Sequence, residues 1–415
     1  MLVSKIRVKE SRLKKDLLDL ARFGREENGG LMRSALSAAD REARRWFKDR
    51  MREAGLHVRE DEAANLIGRL NSTQGPSDEP CVATGSHIDA VPHGGKFDGA
   101  LGICAGLEAI RSIQESGILI PCPIELLVFT DEEGGHFAGT FGSRAMFNLL
   151  SEGEIYRSKS DGQPSLAEDL RRAGKDPNLI SQAVRSPAEF RAFLELHIEQ
   201  GPLLDTMGVP VGIVEGIVGI DRYFIQVKGR PGHAGTIPMH LRDDALVKAA
   251  RIITAVNDAL LAAGSDIVGT IGEMKVYPGA FNIIPGIVDM YLDLRSRNES
   301  ARLSMRNILQ KIIDSVENAR IELILSKPGV TMNPTIMQAI MESCEEQGTP
   351  FQRIFSGAGH DAMTFATLGI PTGMIFIPCL EGKSHCPEED IHFEDAAVGT
   401  QILADTMMRI AASSL

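Results

Sequence analysis

Three apolar segments of strand length, "CVATGSHID", "PIELLVFTDEE" and "FRAFLELHIEQG", each run into histidines and carboxylates, and helical patterns separate them. That alternation constrains the fold more than any other feature of the chain. "GALGICAGLEAIRSIQESG" reads as a helix and "GSRAMFNLL" looks helical. From about Pro334 the same style resumes, with a helix through Glu346 and the strand "TGMIFIP". Strands that are apolar on both faces, joined through helices, predict an α/β fold with a mostly parallel sheet. Such sheets place ligands at the carboxyl ends of their strands. Upstream, the first fifty-odd residues predict two helices, with Ser37 capping the second and Gly55 closing it.

The pattern changes near Gly216. "DRYFIQVKG" is strand-like, "RDDALVKAARIITAVNDALLAAG" is an amphipathic helix, and "DIVGTIGEMKVYPG" and "FNIIPGIVDMYLDLRS" are strands. "ESARLSMRNILQKIIDSVENAR" is a second helix and "IELILSK" a last strand. The order β-α-β-β-α-β predicts a small two-layer, ferredoxin-like domain with a four-stranded sheet. A chain of 415 residues accommodates two domains. The expected division is a discontinuous domain over 1–215 and 330–415, interrupted by an inserted domain over 216–329.

The 44 basic and 56 acidic residues leave a net charge of -12, which speaks against a nucleic-acid surface. The charged N-terminal segment lacks the apolar core of a signal peptide, and no apolar run reaches the length of a membrane span. Six scattered cysteines without a CxxC pair predict buried free thiols and a cytoplasmic protein.

The strand ends carry the chemistry. His87 closes the first apolar strand with Asp89 two residues on, an arrangement in which a carboxylate fixes the tautomer of a metal-bound imidazole. Asp98 follows in a glycine-rich turn, where main chain can wrap close to an ion. Asp131, Glu132 and Glu133 end the next strand, and three adjacent acids repel one another unless a cation or solvent relieves them. His197 ends a third strand, with Gln200 just beyond, and His385 sits in the turn "GKSHCPEED". Each piece alone is equally compatible with a loop or a solvated strand end. Together, His87, Asp98, Glu133, His197 and His385 would hold two divalent ions with Asp98 between them. The nitrogen and oxygen donors suit Zn, Mn, Co or Ni and do not choose among them. Glu132, adjacent to a ligand yet free, is the natural general base.

The ordered motifs GSHxD, FDG, TDEEG, ELHIEQG, GHAGTxPM, SGAGHDA and SHxPEE, spread over Thr84 to Asp390, resemble those of the N-carbamoyl-L-amino-acid hydrolases. Allantoate amidohydrolases and β-ureidopropionases of one type share them, within the wider aminoacylase and carboxypeptidase superfamily of dinuclear amidohydrolases. The resemblance implies that the five residues above are the metal ligands. It implies a catalytic domain interrupted by a lid that pairs two subunits. It gives Glu132 the proton-transfer role. It matches Arg295 and Asn282 to a clamp on the substrate carboxylate, and Gln200, Gly359 and His360 to other substrate contacts. It further implies that His233 stabilises the oxyanion in the partner subunit's site. Peptidases and aminoacylases of the superfamily usually carry an acidic ligand at the position of His197, so the "HIEQG" form favours ureido bonds over peptide bonds. The implied product set is the free amino acid, ammonia and carbon dioxide. Allantoate or β-ureidopropionate hydrolysis would need only small pocket changes. An aminoacylase or dipeptidase is disfavoured by His197, and a catalytically dead amino-acid-binding protein by the intact Glu132 and ligand set.

Overall fold

The computed structural model describes residues 6–413, apart from 77, 137–138 and 159–161. The first five residues of the charged N-terminal segment therefore lie outside it. The chain divides into two compact units, one of Met1–Glu215, Thr331–Ile354 and Gly359–Leu415, the other of Gly216–Val330 with Phe355–Ala358. The expected boundary assigned everything beyond 329 to the larger body. The short Phe355–Ala358 piece instead groups with the smaller one. There the Ser356 carbonyl accepts the Val218 N–H at 3.0 Å, and the Gly357 carbonyl accepts Arg295 Nη1 at 2.7 Å.

The larger unit is built on a nine-stranded sheet. At its centre Ile124–Phe129, Cys81–His87, Phe190–Ile198 and Thr372–Ile377 lie side by side and parallel. Their carboxyl ends, and the loops that leave them, therefore share one edge. The flanking pairings are antiparallel: on one side Leu66–Leu70 runs against the central strands and His57–Glu60 runs against Leu66–Leu70 in turn, and on the other side Val211–Ile217 runs against Thr372–Ile377. Every residue of Cys81–His87, Ile124–Phe129 and Thr372–Ile377 is buried, the expected consequence of helices on both faces.

Helix Ala100–Ser116 packs closely on the sheet because Gly102 has no side chain. A Cβ there would stand 2.5 Å from the Leu196 carbonyl oxygen. Helix Asp361–Thr367 is anchored by Phe365, which stacks on Phe193 with ring centroids 4.0 Å apart and also meets Phe129, Phe147 and Phe190. Burying one phenylalanine contributes roughly 1.5–3 kcal/mol, and here it fixes the helix whose N-cap is His360. Helix Ala38–Glu53 starts as expected, with the Ser37 hydroxyl accepting the Asp40 N–H. All six cysteines are free, and five are buried.

The long elements of the smaller unit follow the order β-α-β-β-α-β, with the two-residue strands Gly232–His233 and Ile283–Ile284 paired beside them. Its antiparallel sheet runs Ala319–Lys327, Gly219–Lys228, Ile287–Ser296, Ile267–Tyr277. Period-two alternation decides its faces. Val288, Met290, Leu292 and Leu294 enter the core with Ile252 and Val256 of one helix and Met305 and Leu309 of the other. Asp289, Tyr291, Asp293 and Arg295 take the opposite face. Among the described residues no helix is long and apolar enough to cross a membrane.

Candidate metal centre

Three of the four parallel strands deliver donors directly. His87 is the last residue of its strand, His197 the last but one of its own, and Asp131–Glu133 begin just after Phe129. His385 arrives eight residues beyond the end of the fourth strand, in a turn where its own φ is +57°. Asp131 (φ +53°) and Gln200 (φ +58°) adopt the same sparsely populated conformation. Such backbone persists where surrounding structure over-determines it, and it clusters at functional sites.

The donors converge on Asp98, which is buried. His197 Nε2 lies 3.1 Å and His87 Nε2 3.5 Å from Asp98 Oδ1. His385 Nε2 lies 3.2 Å from Oδ2. Glu133 Oε1 is 3.7 Å from the same His385 nitrogen. Two overlapping donor groups result, His87–Asp98–His197 and Asp98–Glu133–His385, each with its ligand atoms within 4.8 Å of one another. Glu132 Oε2 is 3.6 Å from His87 Nε2. Gln200 Nε2 donates to Asp98 Oδ2 at 2.7 Å.

The ring orientations are set from behind. His87 Nδ1 faces the Asp89 carbonyl at 2.9 Å, and His197 Nδ1 faces the Ile198 carbonyl at 2.9 Å. A carbonyl only accepts, so both imidazoles carry a proton on Nδ1 and turn Nε2 toward Asp98 and the site, the atom that a divalent ion would bind. This corrects the expectation for Asp89. Its carboxylate is 3.8 Å from His87 Nδ1, and its oxygens instead accept the N–H groups of Glu132 (3.4 Å) and Glu133 (3.2 Å). Asp89 lies beyond the strand end, where strand alternation no longer aims its side chain. Its main chain orients the histidine and its side chain holds the acidic turn. Gly99 is required beside them: its φ is +63°, and a Cβ would stand 2.5 Å from the His87 ring.

The electrostatics are those of a site short of positive charge. Burial would raise the Asp98 carboxyl, but hydrogen bonds from His197, His385 and His87 hold it well below the usual carboxylate range. Burial pushes Glu132 well above that range; His87 opposes the rise and the charges of Glu133, Asp361 and Asp89 add to it. Burial and the charge of Asp98 push Glu133 up to about 7. Glu133 Oε1 and Gln200 Oε1 are buried without a hydrogen-bond partner. Imidazole Nε2 lone pairs, crowded carboxylates and an orphaned carboxylate oxygen are together the donor set that divalent cations satisfy.

Several supporting residues escaped the sequence expectations. Buried Glu389, one acid among three in "CPEED", accepts the N–H groups of Phe97 (2.7 Å) and Asp98 (3.1 Å), and so fixes the Asp98 turn. Buried Glu195 accepts Ser86 Oγ and the Ala362 N–H, beneath His197 and His360. His136, without an assigned role at the outset, is clamped between Asp131 (2.9 Å) and Asp169 (3.0 Å).

Of the expected substrate residues, Gln200, Gly359 and His360 belong to the larger unit with the donors. The His360 ring packs edge-on to His197 at 4.6 Å, and burial, with the charge of His197, holds its imidazole well below the usual range. His233, Asn282 and Arg295 belong to the smaller unit and not to the donor cluster. There His233 and Ile283 pair on two short strands, and the Asn282 carbonyl accepts the Ala234 N–H. Arg295 donates through Nε to Asp293 Oδ1 at 2.7 Å.

Residues 83–409 match the model of peptidase family M20/M25/M40. The chain is 38% identical over 410 residues to an N-carbamoyl-L-amino acid amidohydrolase of Geobacillus stearothermophilus, covering 97% of this chain and 99% of the relative. It is 33% identical over 398 residues to the allantoate amidohydrolase of Escherichia coli, covering 94% and 96%. A crystal structure of an amidase of the hydantoinase/carbamoylase family from Burkholderia multivorans superposes with a TM-score of 0.88 at 34% identity, over 99% of this chain and 100% of that one.

Proposed function

We propose a reaction from one premise: the chain belongs to peptidase family M20/M25/M40. It is a hydrolase of C–N bonds, as its amidohydrolase relatives are named. We assign it the carbamoyl C–N bond of N-carbamoyl-L-amino acids, which water converts to the free amino acid, ammonia and carbon dioxide. The observation that carries this assignment is the 38% identity, across 97% of the chain, to a relative named for that substrate.

The centre fits two divalent ions, drawn from Zn, Mn, Co or Ni, with His87, Asp98 and His197 for one and Asp98, Glu133 and His385 for the other. Such a pair, when bound, activates water and polarises a carbonyl. The chain's own groups do the rest. Glu132 takes the proton of the attacking water and passes it to the leaving nitrogen. Gln200, Gly359 and His360 contact the ureido group; His360, held neutral by burial, supplies a hydrogen bond without a charge. Arg295, with Asn282, receives the substrate carboxylate, to which a guanidinium is matched in shape. The smaller unit acts as a lid and pairs two copies. His233 of each copy stabilises the developing oxyanion in the other's site. Allantoate is the second reading, favoured by the Escherichia coli relative.

Purified protein, stripped by chelation and reloaded with Mn, Co, Ni or Zn, tests the assignment against N-carbamoyl-L-amino acids, allantoate, β-ureidopropionate, N-acetyl-amino acids and dipeptides. The stripped protein is expected to be inactive, the reloaded one active, and kcat/KM highest for a carbamoyl amino acid. Undiminished turnover after verified metal removal, or a preference for acetyl or peptide bonds, rejects it.

The shared site has its own test. His233→Ala and a metal-ligand variant, each inactive alone, are mixed under conditions that exchange subunits. Recovery of about a quarter of wild-type activity is expected, since random pairing makes about half the dimers mixed and each mixed dimer has one complete site; no recovery rejects the crossing.

A further inference from the structure

We infer that Arg33 is a positioning residue for the His87 side of the metal centre, holding the His87–Asp89 turn from behind through main-chain hydrogen bonds. The inference rests on the two-ion reading above.

Arg33 is among the largest fully buried side chains of the protein, 1% exposed. Its Nε donates to the Ile88 carbonyl at 2.8 Å. Its Nη1 donates to the carbonyls of Leu20 (2.9 Å) and Phe23 (3.1 Å). These described hydrogen bonds all go to main chain. The carboxylates of Asp40 and Asp89 act on it only as charges at longer range. The backbone of Arg33 joins in, because its carbonyl accepts the Ala90 N–H at 3.0 Å. Two residues back, Leu31 and Gly94 exchange N–H and carbonyl bonds at 2.9 and 3.2 Å. Residues 31–33 are thus stitched along residues 88–94.

A buried guanidinium is costly to desolvate, and an apolar side chain of similar volume often serves stability better. Stability alone is therefore a poor account of a cation here. What Arg33 does specifically is fix the Ile88 carbonyl, in the residue between His87 and Asp89. The orientation of that segment decides where the Asp89 carbonyl points. The Asp89 carbonyl in turn keeps the His87 proton on Nδ1 and its Nε2 free to bind an ion. Without Arg33 the Ile88 peptide can rotate, and the imidazole loses its fixed aim. The cation also lies close enough to offset part of the negative charge that Asp89 brings to the site. The nearest consequence falls on the ion held by His87, Asp98 and His197. The ion held by Asp98, Glu133 and His385 is reached less directly, through the Asp89 carboxylate that accepts the Glu133 N–H at 3.2 Å and not through a ligand side chain.

The test uses full-length Arg33→Lys and Arg33→Met variants, stripped of metal and titrated with Zn or Co against a chromophoric chelator, so that the two ion-binding steps are read separately. Glu133→Gln marks the step that belongs to the other ion. Thermal melting of the metal-free proteins reports the fold, and kinetics separate kcat from KM. One step is expected to weaken roughly 10–100-fold, the range for residues that orient a ligand, while the step marked by Glu133→Gln changes much less. Turnover should fall in kcat rather than KM, with the metal-free Arg33→Lys protein melting near the wild type. Should Arg33→Met fail to fold, Arg33→Lys decides, since an ammonium cannot reproduce the guanidinium's planar fork. Wild-type affinity at both steps in the lysine variant overturns the inference. So does an equal loss at both steps that tracks lost thermal stability, which would make Arg33 a fold residue only. A wild type that binds fewer than two ions overturns the two-ion reading and this inference with it. A wild type that binds two, with unaltered variants, overturns this inference alone.

Discussion

Replacing Glu132 with glutamine is expected to leave metal content unchanged and to lower kcat by roughly 10²–10⁴-fold, the usual cost of losing general acid–base help. Glu132 and Glu133 are neighbours with side chains equally exposed, at 11% each. Their surroundings separate them. Glu133 meets His385 and shares a donor group with Asp98, so Glu133→Gln should lose metal affinity first. Glu132 belongs to neither overlapping donor group around Asp98, yet its carboxylate stands beside His87. A glutamine is close to isosteric and keeps the N–H that Asp89 accepts, so the turn should survive. The measurement is metal content by elemental analysis beside steady-state kinetics. A Glu132→Gln protein that loses its ions yet keeps full activity per remaining ion would show that the two roles are reversed.

The parallel strands were legible because burial on both faces leaves a continuous apolar run. "CVATGSH" and "IELLVF" are buried at every position. The flanking strands were not. "HVRE" at 57–60 is mostly exposed and has no apolar alternation to read. Val211–Ile217 and Phe351–Ser356 also went unread, as did the long helix Phe393–Ala412 that covers the sheet. His87, Glu133 and His197 were legible because each stands at or just past the end of such a strand, whereas Asp98 and His385 stand in the turns that follow. The supporting residues were not, because their roles come from main-chain hydrogen bonds that residue type does not announce. Asp131 illustrates the limit. It reads as one of three equivalent acids, but its left-handed backbone turns it to His136, away from the pair that follows. Arg33 reads as an ordinary arginine in "LMRSALS", and only its burial against the Ile88 carbonyl sets it apart.

Asp98→Asn is expected to remove both ions at once and with them all measurable turnover. Asp98 is the member common to the two donor groups, facing His87 and His197 through Oδ1 and His385 through Oδ2. An amide of the same shape gives up the negative charge that three imidazoles stabilise, and it turns one acceptor into a donor. That donor would face either the Nε2 atoms of His87 and His197, or Gln200 Nε2, which already donates to Asp98 Oδ2 at 2.7 Å. In the first orientation the amide N–H ties up imidazole nitrogens that an ion needs, and in the second it sets donor against donor, whereas His87→Ala or His385→Ala deletes a donor from one group and leaves the other complete. The fold should tolerate the change, because the Asp98 turn is held through its backbone by Glu389 and the sheet beneath has a core of its own. The expected ordering is therefore loss of one ion in each single-histidine variant and of both in Asp98→Asn, with similar far-UV circular dichroism throughout. Metal content read in the same preparations checks it. An Asp98→Asn protein that retains one ion at wild-type affinity would mean that the two donor groups do not share this carboxylate.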